Sequence, residues 1–120
     1  MASAISLDNL SSEYQVTRDS SNTKIAKATK TISSSSVAFL PATLDNATTH
    51  VFWQVLGADI NVELAGGTAT TSDMKISDGN STIWSRQMAI DATAIRNGGT
   101  DATLIVYELQ KASPITAGRS

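Results

Sequence analysis

The sequence predicts an all-β fold, an antiparallel β-sandwich with an extended N-terminal arm, and three observations lead to it. Only 17% of the 120 residues are charged, against about 25% in an average domain, and Ser, Thr, Asn and Ala take up the difference. Thr loses rotamer freedom on a helix and packs well on a pleated surface, so this exchange favours strands and turns. Apolar residues alternate with a period of two in several short runs, and glycine-containing turn signals separate those runs.

The first clear run is "HVFWQVL", His50 to Leu56. Its alternation puts Val51, Trp53 and Val55 on one face and Phe52, Gln54 and Leu56 on the other. After Gly57, "DINVEL" places Ile60, Val62 and Leu64 on one side and Asn61 and Glu63 opposite, the pattern of a strand with one wet face. Gly66 and Gly67 supply the backbone freedom of a tight connection. Asp78 and Gly79 mark a second turn after "MKIS", and Asn97, Gly98 and Gly99 mark a third before "TDATLIVYELQ". Three turns separate at least four strands. In the last of them Ala102, Leu104 and Val106 line one face, and Ile105, Tyr107 and Leu109 line the other.

Both faces of that strand are apolar, although a sandwich of this size has one inner face per sheet. Phe52, Leu56, Ile105, Tyr107 and Leu109 are therefore expected to form an outward apolar patch. Two covers are open to it: another copy of the chain, or the chain's own leading segment.

Charge divides the chain. Between residues 1 and 36, Arg18, Lys24, Lys27 and Lys30 outweigh Asp8, Glu13 and Asp19, whereas acidic residues dominate between 37 and 110. A serine-rich, slightly basic leader before an acidic body fits an arm reaching a different surface, and equally a solvated leader whose lysines face water. The expected layout is an arm over 1–30, a sandwich over 31–110 and a tail over 111–120.

The chemistry carried by the sequence is thin. Cysteine is absent, which excludes disulfides, thiolate metal sites and a cysteine nucleophile. His50 is the sole histidine, with no G-x-S-x-G elbow to accompany it. The aspartates beside turns follow no calcium-loop spacing, and "GGTATTSDMK" lacks the ending of a phosphate loop. A net charge of -2 argues against gripping nucleic acid. No run approaches the roughly 20 apolar residues of a membrane span, and the start shows no export signal. The expectation is a soluble, non-enzymatic protein with no cofactor, no metal, no nucleic acid, no membrane and no small-molecule substrate as partner.

From about Thr31 to Leu109 the chain resembles small β-sandwich virion proteins of tailed bacteriophages. The resemblance rests on the order of "KTISSSSVAFLPAT", "HVFWQV" leading into "ADINVEL", "GGTATTS", "SDGNSTI" and the closing "AIRNGGTDATLIVYEL". Ile95 to Tyr107 is the most specific phrase. Two departures occur in the first glycine loop, where Ala69 stands in place of a frequent proline and Asp73 near a frequent glycine.

The resemblance implies a jelly-roll-like sandwich and a capsid decoration or cement protein. Such a protein would be made in the host cytoplasm and would sit on the capsid exterior as a homotrimer, contacting the major capsid protein and stiffening the shell. Lys24, Lys27 and Lys30 would then serve capsid attachment, and the outward apolar residues self-association. The alternative is a tail- or head-fibre module using Trp84 and the acidic turns to bind a host surface glycan.

Overall fold

The computed structural model describes residues 13–112, and the chain within them forms two antiparallel sheets packed as a β-sandwich. Nine strands are described: β1 (Tyr14–Val16), β2 (Ala28–Ile32), β3 (Val37–Ala38), β4 (His50–Leu56), β5 (Ile60–Glu63), β6 (Met74–Ile76), β7 (Ser81–Ser85), β8 (Thr93–Arg96) and β9 (Ala102–Lys111). One helix, α1 (Arg86–Asp91), links β7 to β8.

The first sheet runs β1-β9-β4-β7, with β2 also pairing β9. β1 takes the C-terminal half of β9, Val16 opposite Leu109, and β2 takes the N-terminal half, Ile32 opposite Ala102. The segment from Tyr14 to Lys30, expected within the arm, thus contributes two strands to the sandwich. Residues 1–12 of that arm and 113–120 of the tail lie outside the described residues. The second sheet runs β3-β8-β5-β6.

Between β1 and β2 the chain leaves the sheet in a tight finger. Asp19 Oδ1 accepts the amides of Ser21 and Thr23 at 2.9 and 3.0 Å, and Asn22 takes the left-handed φ of 64° that Asn tolerates. Ile25 N then donates to Thr17 O at 2.8 Å, returning the chain to the sheet. After β2 the serine run crosses from the first sheet to the second. Ser33 O accepts Arg96 N of β8, and Ser36 Oγ accepts Ala69 N, both at 2.9 Å, so short hydroxyl residues satisfy backbone groups where no ladder continues.

The alternation expected for β4, β5 and β9 holds on the inner side. Val51, Trp53, Val55, Leu104 and Val106 from one sheet and Ile60, Val62, Ile76 and Ala94 from the other are all buried in one core. Each fully buried aliphatic side chain contributes about 1.5–3 kcal/mol by leaving water. Phe39, in the connection after β3, closes the core. Its ring centroid lies 4.8 Å from Trp84 and 5.8 Å from Trp53, and the two indoles are 5.0 Å apart. Among the described residues Trp53 Nε1 finds no hydrogen-bond acceptor; its ring meets both neighbours near-perpendicularly, at 80° and 70°, an arrangement that aromatic pairs favour.

A buried polar knot pins the entry to β4. Glu108 Oε1 accepts Asp45 N at 2.8 Å and the Thr48 hydroxyl at 2.7 Å, and Thr48 Oγ1 lies 2.9 Å from Thr17 Oγ1. Arg86 Nη1 donates to the carbonyls of Asp45 and Thr48, both at 2.8 Å. Helix α1 starts on Ser85, whose Oγ accepts Met88 N at 3.3 Å as an N-cap, and its Ala89 enters the core.

Candidate interaction surface

The outer face of the first sheet carries the features that the sequence marks for self-association. Phe52 of β4 lies between Tyr107 of β9 and Ile83 of β7 in the ladder. Gln54 lies opposite Ile105, and Leu56 opposite Thr103. On the far side Ile105 meets Thr29 of β2. These positions share one side of the sheet because side chains alternate along every strand. Phe52 and Tyr107 rings stand 6.4 Å apart, tilted by 40°. Leu56 is exposed, and Phe52, Ile83, Ile105 and Tyr107 are half-buried. From Thr29 across to Ile83 the face holds no charged side chain.

Leu109 does not join that patch. It is 2% exposed, because it sits between Val16 of β1 and His50 of β4 at the end of the sheet. There the Tyr14 ring leans on the His50 ring at 4.7 Å. The described part of the leading segment therefore covers one end, through β1, while Phe52, Leu56, Ile105 and Tyr107 lie on the outward side of the sheet.

The Tyr14 end of the face is polar. Tyr14 Oη lies 3.5 Å from His50 Nε2, His50 Nδ1 lies 2.9 Å from Thr49 Oγ1, and the Lys111 ammonium stands 5.9 Å over the Tyr14 ring. Burial, and then the Lys111 charge, hold the His50 pKa below the ordinary histidine value, so its ring is neutral at neutral pH. Its described hydrogen-bond partners are two hydroxyls, with no carboxylate among them to orient the ring for proton transfer.

The three lysines assigned to attachment separate in space. Lys24 lies on the finger opposite Arg18, and Lys27 is exposed just before β2. Lys30 points the other way. Ala28, Lys30 and Ile32 share the inward side of β2, and the Lys30 ammonium donates to Ala38 O at 2.5 Å and Leu40 O at 3.2 Å. Burial lowers its pKa. Lys30 is thus a structural group at the sandwich edge, and Lys24 and Lys27 alone remain available to an outside surface.

Two of the open grooves among the described residues flank the sandwich. One of about 490 Å³ lies between the finger and the loop before β4, lined by Arg18, Asp19, Asp45 and Asn46. The other, of about 370 Å³, lies beside β3, lined by Val37, Gly66, Gly67 and Thr93. Among the described residues no three His, Asp or Glu side chains come together as metal ligands. The acidic turns are occupied locally: Asp59 Oδ1 accepts Asp78 N at 2.8 Å, and Asp78 Oδ1 accepts Gly57 N at 2.9 Å. The Asp78 amide, with Lys75 beside it, lowers the Asp59 pKa. Trp84, named for sugar stacking, is 8% exposed and packs on Phe39 and Trp53. Sequence reasoning did not anticipate the Thr17–Thr48–Glu108 knot. Its only trace in the sequence is one glutamate among the apolar residues of β9.

No family model, curated protein or solved structure matches the chain.

Proposed function

We propose that this chain is a structural protein of a tailed-phage virion, a decoration protein that associates with copies of itself and binds the capsid exterior. The observation that carries the reading is the uncharged aromatic and aliphatic face of Phe52, Leu56, Ile83, Ile105 and Tyr107 on a sandwich whose acidic side chains are tied into its own turns. Such a face marks an interface more readily than a reaction site. In this reading the sandwich is a jelly-roll relative, three copies meet through the face, and the arm ahead of Tyr14 contacts the major capsid protein together with Lys24 and Lys27. Three weakly binding arms on one trimer raise avidity by about 10² or more where all can engage.

Sedimentation of the purified protein with emptied tailed-phage capsids tests the reading. Co-sedimentation that is lost when Lys24 and Lys27 are both changed to Glu is the expected result. A protein that stays in the supernatant at every concentration, or that binds host cells and glycans instead, overturns it.

A further inference from the structure

Among the described strands, three of the four outer edges of the two sheets carry devices that block strand pairing. At the β1 and β2 side, β1 has three residues, Lys27 precedes β2 and Lys30 points inward from it. β3 has two residues, and Lys30 occupies the carbonyl of Ala38. β6 has three residues and presents Lys75, exposed and paired with Asp59 at 3.3 Å. Short length, lysine and inward charge are the usual means by which a sheet edge refuses a partner.

β7 has none of them. Its five residues, Ser-Thr-Ile-Trp-Ser, include no charge, no proline and no bulge against β4. The ladder fixes which backbone groups are free. Val55 N donates to Asn80 O and Arg86 N donates to Thr49 O, so in antiparallel alternation Asn80, Thr82, Trp84 and Arg86 bond to the β4 side. The N–H groups of Ser81, Ile83 and Ser85 and the C=O groups of Ser81 and Ile83 are therefore directed to the open edge, and no described hydrogen bond within the chain occupies them; the Ser85 carbonyl, at the N-cap of α1, serves the helix.

We propose that this edge pairs with β7 of a second copy of the chain, antiparallel about a two-fold axis through Ile83. A two-fold contact must be complementary to itself, and this strand is. Ile83 falls opposite the second copy's Ile83, and Ser81 opposite its Ser85. Ile83 opposite Ile83, together with each Ser85 N–H donating to the other copy's Ser81 carbonyl, makes about four backbone hydrogen bonds. With no charge on the edge, no like charges meet. Because Phe52 is the ladder partner of Ile83, the apolar rows of both copies become continuous across the joint, with Ile83 meeting Ile83 at cross-strand distance. The contact lies in the plane of the sheet and leaves its outer face open, so it does not depend on the capsid reading or on the trimer.

Native mass spectrometry over a concentration series, combined with residue-resolved hydrogen exchange, tests it. The expected result is an even-numbered species, with the amides of Ile83 and Ser85 slowing at least tenfold as concentration rises. Ile83→Pro removes a free N–H and no β4 bond, so it should abolish that species while circular dichroism stays unchanged. Monomers or trimers alone, or edge amides that exchange at one rate at every concentration, overturn the proposal, as does an even-numbered species without protection at β7. The exchange measurement uses the unaltered protein, so a folding defect in Ile83→Pro leaves the outcome decided. Loss of capsid binding with intact β7 protection would overturn the proposed function alone.

Discussion

The ammonium of Lys30, on an edge strand of the first sheet, is bonded to the carbonyl of Leu40 beyond the short edge strand of the second. One side chain thereby ties an edge strand of the first sheet to the carbonyls around β3 and holds the seam between the sheets. Lys30→Met keeps the apolar stem and removes the donors. Hydrogen bonds to a charged group are worth about 1.5–3 kcal/mol, and partial exposure of this one reduces the expected loss to about 1 kcal/mol. For a domain this size that is a fall of about 4–8 °C in melting temperature, measurable by calorimetry. The uncapped β3 edge should also raise aggregation during refolding, seen by light scattering.

His50 gives the fold a pH dependence whose sign follows from its environment. Burial and Lys111 lower its folded pKa, so between that value and the ordinary value near 6.5 the unfolded chain binds the extra proton. The stability tied to the neutral ring is complete above the ordinary value and is lost as pH falls through the folded pKa. Urea unfolding of wild type and His50→Gln from pH 5 to 7 should show the steeper decline toward acid in wild type. A His50 ring that titrates above the ordinary value by nuclear magnetic resonance contradicts this.

Phe39 is the test of the aromatic core. It has no exposure and touches both indoles. Phe39→Ala should cost about 3–5 kcal/mol, the usual range for emptying a buried aromatic site. Both tryptophans lose a ring neighbour, so the fluorescence of the folded state should change along with the denaturation midpoint.

Two turn glycines should respond oppositely to alanine. Gly79 has a φ of +93° and open space around the position of a Cβ, so Gly79→Ala meets only backbone strain, about 1–2 kcal/mol. Gly98 also has open space and needs no positive φ. Gly98→Ala should be neutral or stabilise by up to about 1 kcal/mol through the unfolded chain. Equal effects at the two sites in urea titrations would refute the assignment.

The sequence made the long strands legible because period-two alternation is strong where one side is buried: β4 is found at its expected bounds, and β5 and β9 within two residues of theirs. Other features escaped it. β1 and β2 looked like an arm since "EYQVTRDSSNTKIAKATKTI" is polar, and only pairing with both halves of β9 makes them strands. Helix α1 is six residues long, too short for a helical period to show, and Ser85 as its cap was the sole local sign. Leu109 was assigned outward by alternation, which says which side a residue faces and nothing about what covers it. The uncharged row from Phe52 to Ile105 was legible in part. Ile83 was not, because β7 itself was not resolved as a strand.

β9 has a consequence for the order of events in synthesis. It pairs with β4, β1 and β2, and it is the last described strand to leave the ribosome. Everything before it emerges without the strand against which two of the earliest segments must align. The first sheet is therefore completed only after translation has passed Lys111, whereas every strand of the second sheet precedes β9.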